Sequence, residues 1–113
     1  MNIPKRVLVT GASRGIGRAI ALALAKAGFT VTVHYHANAE KAGAVVAQIL
    51  EAGGNAGTLA FDVSDQEQAN AALEKDIATN GVYWGVVCNA GITADNTFAA
   101  MPAQDWERVI GTN

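Results

Sequence analysis

Three glycines carry the first chemical argument. Gly11, Gly15 and Gly17 stand in the run Thr10-Gly11-Ala12-Ser13-Arg14-Gly15-Ile16-Gly17, between a β-branched apolar run and a helically spaced one. Glycine lets a backbone approach an anion closely, and the first N–H groups of a helix have no partners inside it. A strand, a glycine turn and a helix in that order suit the pyrophosphate of a dinucleotide. The spacing is Gly-x-x-x-Gly-x-Gly rather than Gly-x-Gly-x-x-Gly, and no Lys-Ser or Lys-Thr follows, so it is not a P-loop. The bland alternative is a tight strand-to-helix turn that holds nothing.

Other residues bear on what such a turn could select. A site for a free ribose 2′-hydroxyl usually places an acid about twenty residues beyond the glycines. Here the second apolar run ends His34-Tyr35-His36-Ala37-Asn38, and no acid comes before Glu40. Arg14 could instead pair with a 2′-phosphate through a charge-assisted contact, with His36 and Asn38 as further neighbours. A solvated arginine at a helix start is the alternative. His34 and His36 share one strand face and could form half a metal site, but no third ligand is apparent, and no metal is expected. Asp62 follows a third apolar run, where turn chemistry would also explain it. Asn89, Ala90 and Gly91 follow a fourth run.

The elements that must position these residues alternate. Lys5–Thr10, Thr30–Tyr35, Ala56–Phe61 and Tyr83–Cys88 read as strands. Ile16, Ala19, Ile20, Ala23, Leu24 and Ala27 recur at helical spacing and stop at Gly28. Asn38 can cap a helix to about Leu50, ended by Gly53-Gly54. Ser64-Asp65-Gln66-Glu67 reads as a capping box with Ser64 at the cap, opening a helix to about Thr79. After a loop over Asn89–Met101, Pro102 suits the start of a fourth helix with Trp106, Val109 and Ile110. Strand and helix in alternation predict an α/β fold, a doubly wound parallel sheet with strand order 3-2-1-4. Every candidate residue then falls at the carboxyl ends of the strands, the ligand side of such a sheet.

Composition narrows the class. The chain has 113 residues, half of them hydrophobic and 16% charged, which is too apolar for disorder and sufficient for one core. The formal net charge of −2 excludes a general nucleic-acid binder. A single cysteine, Cys88, excludes an internal disulfide and a thiolate zinc site, and points to a reducing compartment, the cytoplasm. Cys88 itself reads as a small buried residue rather than a nucleophile. No apolar run reaches the length of about eighteen residues that would span a membrane. Ala19–Ala25 behind Arg14 and Arg18 loosely mimics a signal-peptide core, but the preceding glycines make it a helix instead.

The run Thr10–Gly17, Asp62-Val63 after strand three, Asn89-Ala90-Gly91 after strand four and Thr112-Asn113 at the end together resemble the short-chain dehydrogenases/reductases along essentially the whole chain. The wording TGASRGIGRAIA, with Gly-Ile-Thr before Asp95-Asn96, is most similar to the 3-oxoacyl-acyl carrier protein reductases. The resemblance implies NADP(H) as cofactor, with Arg14 in the position where a basic residue marks that choice. It implies that Gly11, Ser13, Gly15, Ile16 and Gly17 hold the cofactor, that Asp62 accepts from the adenine amino group, and that the Val63 N–H reads the ring edge. Asn89, Ala90 and Gly91 would let the chain pass the adenosine ribose; Cys88 departs from the usual first Asn of that motif. Asn113 would be the catalytic asparagine of an Asn, Ser, Tyr, Lys set. The implied partners are an acyl carrier protein thioester and, in the full-length form, three further copies in a homotetramer.

The remaining catalytic residues of that set are not found. Tyr35 is followed four residues later by Ala39, and Tyr83 by Val87, so neither gives Tyr-x-x-x-Lys; Ser13 and Ser64 lie elsewhere. The chain therefore reads as residues 1–113 of a single Rossmann-like domain, its cofactor-binding part, with the catalytic half beyond it and no activity of its own. Two alternatives stay open: a non-catalytic NADP-binding module, and a short-chain reductase with another ketone or alcohol substrate. The glycine spacing argues against the extended, sugar-modifying branch of the family but not against its steroid enzymes.

Overall fold

The computed structural model describes residues 4–13 and 15–89. The elements run β1 (Arg6–Val9), α1 (Gly15–Lys26), β2 (Thr30–Tyr35), α2 (Ala39–Glu51), β3 (Asn55–Ala60), α3 (Gln66–Asn80) and β4 (Gly85–Val87). The four strands form one sheet in the order β3-β2-β1-β4, all neighbours parallel. This is the expected 3-2-1-4 order. β1 and most of β2 are buried along their length, which is why they read as unbroken apolar or β-branched runs. β3 (Asn-Ala-Gly-Thr-Leu-Ala) is largely exposed and built mostly of small residues, at the outer position of the described sheet.

Side-chain alternation splits the core between the two faces. Val7, Val9, Val31 and Val33 pack with Ala21 of α1 and with Ala42, Val45 and Ile49 of α2. Leu8 points the other way, to Phe61, Tyr83 and to Ala69 and Leu73 of α3. Each fully buried Leu or Val contributes about 1.5–3 kcal/mol. Beside Leu8 the second face holds a polar clamp. The Arg6 guanidinium reaches Asp76 of α3 at 2.5 Å, donates to Thr32 Oγ1 at 3.3 Å and to the Gly81 carbonyl, and lies over the Tyr83 ring. The Tyr83 hydroxyl donates to Asp76 as well. Burial acts to raise the Asp76 carboxyl, but the bonds from Tyr83, Arg6 and Asn80 outweigh it and hold the group below the usual carboxylate range.

Helix ends follow the sequence closely, with one shift. At Gly28 (φ 103°) and Gly53 (φ 90°) the chain turns left-handed. The next residues, Phe29 and Gly54, donate back to Leu24 and Ile49, closing both helices in the same way. Asn38 caps α2 by accepting from the Lys41 N–H at 3.1 Å. For α3 the cap is Asp65, accepting from Gln68 N–H at 3.1 Å, and not Ser64. Ser64 is already engaged: its hydroxyl donates to Asp62 at 2.7 Å and its N–H at 2.9 Å. β4 is also shorter than the Tyr83–Cys88 expected, because Tyr83 turns into the clamp below α3. The loop to Met101 and the fourth helix lie outside the described residues. Among the described residues no helix is long and apolar enough to cross a membrane.

Candidate dinucleotide site at the strand ends

The carboxyl ends of β1, β2, β3 and β4 converge on the glycine turn. Gly11 (φ 62°) and Gly15 (φ 61°) both adopt left-handed backbone, which side chains rarely tolerate. Between them the turn is fastened from two sides. The Gly11 N–H donates to His34 Nδ1 at 2.9 Å, and the Ala12 N–H to the His34 carbonyl at 3.0 Å. From β4, Asn89 Nδ2 donates to the Gly11 carbonyl at 3.3 Å, while Thr10 Oγ1 accepts from the Asn89 N–H at 2.7 Å.

Gly17 is buried where α1 presses on this turn. A Cβ there would collide with the Gly11 carbonyl and come within 2.6 Å of Asn89 Nδ2. Gly15 opens the helix, and a Cβ there would project into open space. The left-handed backbone at Gly15, rather than crowding, is therefore what favours glycine there. No acidic side chain stands in the first turn of α1 to oppose an anion. These residues fit a pyrophosphate. Ser13 is half-buried beside them and Ile16 is 74% exposed.

At the end of β3, Asp62 is held in a network of its own. Its Oδ1 accepts from both the hydroxyl and the N–H of Ser64, which lowers the carboxyl below its ordinary value, and its own N–H donates to Gln68 Oε1 at 2.8 Å. His36, exposed at the end of β2, approaches Asp62 Oδ2 at 3.7 Å. Asn38 is exposed and committed to the cap of α2. Val63 is half-buried against the α3 core.

His34, which the sequence offered only as half of a metal pair lacking a third ligand, is buried, and both ring nitrogens are used. Nδ1 accepts from Gly11 and Nε2 faces the Phe61 carbonyl at 2.7 Å, so the ring is neutral with its proton on Nε2. Burial pushes its pKa below the ordinary 6.5, against the opposing pull of the Phe61 carbonyl. The signal was present in Thr30–Tyr35: a polar residue at a buried position of an interior strand needs partners there. Among the described residues no group of three or more His, Cys, Asp or Glu could hold a metal ion. Thr10 was also missed as a site residue, though it ties β4 to the turn. Cys88, expected to be buried, is exposed because it lies past the end of β4; desolvation still pushes its thiol up, away from a reactive thiolate.

Arg14, Ala90, Gly91 and Asn113 lie outside the described residues. The remaining nominated residues are brought together at one end of the sheet.

Comparison with known proteins agrees with this geometry. Residues 5–113 match the family described as short chain dehydrogenase. The chain is 50% identical over 107 residues to 3-oxoacyl-[acyl-carrier-protein] reductase FabG of Aggregatibacter actinomycetemcomitans, covering 95% of this chain and 44% of that one. It is 43% identical over 113 residues to the protein of the same name from Staphylococcus aureus (strain Mu50 / ATCC 700699), covering 46% of it. A metagenomic short-chain oxidoreductase solved in complex with NADP superposes with a TM-score of 0.73 at 34% identity, covering 93% of this chain and 48% of that one. The chain thus spans about half the length of the relatives it matches. With the family match running over residues 5–113 and the sheet in 3-2-1-4 order, the chain belongs to the short-chain dehydrogenase family.

Proposed function

We propose that these residues are the cofactor-binding part of an NADPH-dependent reductase. Its reaction converts the 3-oxo group of an acyl chain, carried as an acyl carrier protein thioester, to the 3-hydroxy group. One observation carries the reading: a turn with two left-handed glycines, fastened by His34 of β2 and by Asn89 beyond β4, leads from β1 straight into the start of α1. The names of the relatives and the NADP held by the similar solved structure support it.

Gly11, Ser13, Gly15, Ile16 and Gly17 would hold the pyrophosphate side of the cofactor, and Asp62 with Val63 the adenine. Asn89, Ala90 and Gly91 would line the ribose. Arg14, His36 and Asn38 would face the 2′-phosphate; no acid stands at the end of β2 to repel it, and His36 occupies that place. The chemistry supplied by a dinucleotide held there would be hydride transfer to the carbonyl carbon. This chain's part is to bind and orient the dinucleotide.

The reduction also needs a proton for the developing alkoxide. Tyr83 does not supply it: burial, then its bond to Asp76, raises the hydroxyl far above its ordinary value, and it faces the clamp beneath α3 rather than the glycine turn. The donor, with the Ser and Tyr-x-x-x-Lys of the family, would lie in the part of the relatives' length that this chain does not span, and Asn113 would take the catalytic asparagine's role. The whole protein would assemble as a homotetramer in the cytoplasm.

The test uses the natural polypeptide that carries these residues. NADPH titration should show saturable binding stronger than NADH binding, and 3-oxoacyl thioesters should oxidise NADPH faster than sugar or steroid ketones. Binding without turnover of any ketone would replace the reductase with a non-catalytic NADP-binding module. Faster turnover of another ketone would keep the enzyme and change the substrate.

A further inference from the structure

We propose that His34 is a positioning residue for the dinucleotide site. Its neutral imidazole accepts from the Gly11 N–H and so holds the phosphate-facing turn against the end of β2, while the Phe61 carbonyl fixes which ring nitrogen is left to accept. The inference rests on the reading that this turn holds a dinucleotide.

The geometry is specific. His34 is 2% exposed, and its ring stacks at a tilt on Phe61 with centroids 4.2 Å apart, which fixes its plane. Through Nδ1 it accepts from Gly11 on one side, and through the Nε2 proton it donates to the Phe61 carbonyl on the other. The Phe61 carbonyl belongs to the peptide that leads into Asp62. One ring thus spans from the first glycine of the turn to the residue before the nominated adenine acceptor, across the end of β2. The Ala12 N–H is taken by the His34 carbonyl, so this residue satisfies two successive N–H groups of the turn. The Gly11 and Ala12 amides are therefore structural. The anion is left to the N–H groups further along, at the start of α1. A buried N–H that loses its acceptor would seek another and move the turn.

The two nitrogens can be replaced separately. His34→Asn puts an amide oxygen near the place of Nδ1 and keeps an acceptor for Gly11. His34→Gln puts an amide near the place of Nε2 and keeps only the link to Phe61. In the natural polypeptide, NADPH affinity should stay within about threefold of wild type for His34→Asn and fall about tenfold for His34→Gln, the worth of one buried hydrogen bond. Hydrogen exchange gives a readout independent of the cofactor: the Gly11 amide should be protected in wild type and His34→Asn, and exchange faster in His34→Gln. Thermal melting of each variant separates positioning from stability, since affinity is measured well below the melting range.

Wild type and both variants binding NADPH alike would overturn the proposal alone. So would equal losses in both variants that track their melting temperatures, because His34 would then be only a core residue. Wild-type protein that binds no dinucleotide would overturn the proposal together with the cofactor reading.

Discussion

A histidine held neutral by burial makes folding depend on pH in a defined direction. The folded chain resists protonation of His34, whereas the unfolded chain takes up the proton at the ordinary value of 6.5. Above 6.5 the two states are equal in this respect. As the pH falls below 6.5 the unfolded state binds the proton first, so stability is lost until the depressed folded value is reached. Denaturant midpoints measured from pH 7.5 downwards should fall for wild type and fall less for His34→Asn. The carboxylates Asp62 and Asp76, both held below 3.8, add their own losses only at lower pH. Gly17 makes the second prediction at this scale. Gly17→Ala drives a methyl into the Gly11 carbonyl, so the turn must move; overpacking of this kind costs about 1–3 kcal/mol. Thermal melting should show that loss, and NADPH affinity should fall with it. These two residues also mark what the sequence could reveal of the site. Gly17 was legible because its spacing from Gly11 and Gly15 is itself the signal. The role of His34 was not, because it is made by groups on two other strand ends, and nothing local to Thr30–Tyr35 names them.

The elements were legible for a physical reason: β1 and β2 are buried on both faces, so their runs are apolar or β-branched without interruption, and glycines end α1 and α2 where the backbone turns left-handed. The start of α3 was misread by one residue. Ser64 and Asp65 are both good caps, and a sequence pattern cannot show that Asp62 already holds the Ser64 hydroxyl. The two readings separate by mutation. Asp65→Ala should destabilise the fold by about 1 kcal/mol through loss of the cap. Ser64→Ala should leave α3 intact and instead let the Asp62 carboxyl rise toward its ordinary value, read by NMR titration. The attachment of α3 to the sheet was not legible either, since Arg6 and Asp76 are far apart in the chain. Asp76→Asn removes the charge facing Arg6, whose side chain is 9% exposed, and should cost roughly 3 kcal/mol in chemical denaturation. Replacing Arg6 by Met in the same chain should recover part of that loss, because the uncompensated charge is gone.

At the scale of the molecule, the sheet brings residues from four strands to one end and leaves the Arg6–Asp76–Tyr83 clamp beneath α3. Binding and scaffold are therefore carried by different parts, and substitutions in the clamp should lower stability without altering which dinucleotide is preferred. If the proposed continuation is correct, the intact mass of the protein from its source is roughly twice that of this chain, as the 44–46% coverage of its relatives suggests. A mass equal to 113 residues would withdraw the catalytic proposal and leave the binding one. The strand order has one more consequence, for the time at which the chain is made. β1 lies between β2 and β4, and Thr10 bonds to Val87 across a separation of 77 residues. At a synthesis rate of about 5–20 residues per second, roughly 4–15 s pass between the two leaving the ribosome. For that interval the most buried strand of the sheet has one open edge, met by water, a chaperone or a neighbouring nascent chain. How long it stays open is set by the speed of translation through α1, α2 and α3, not by β1 itself.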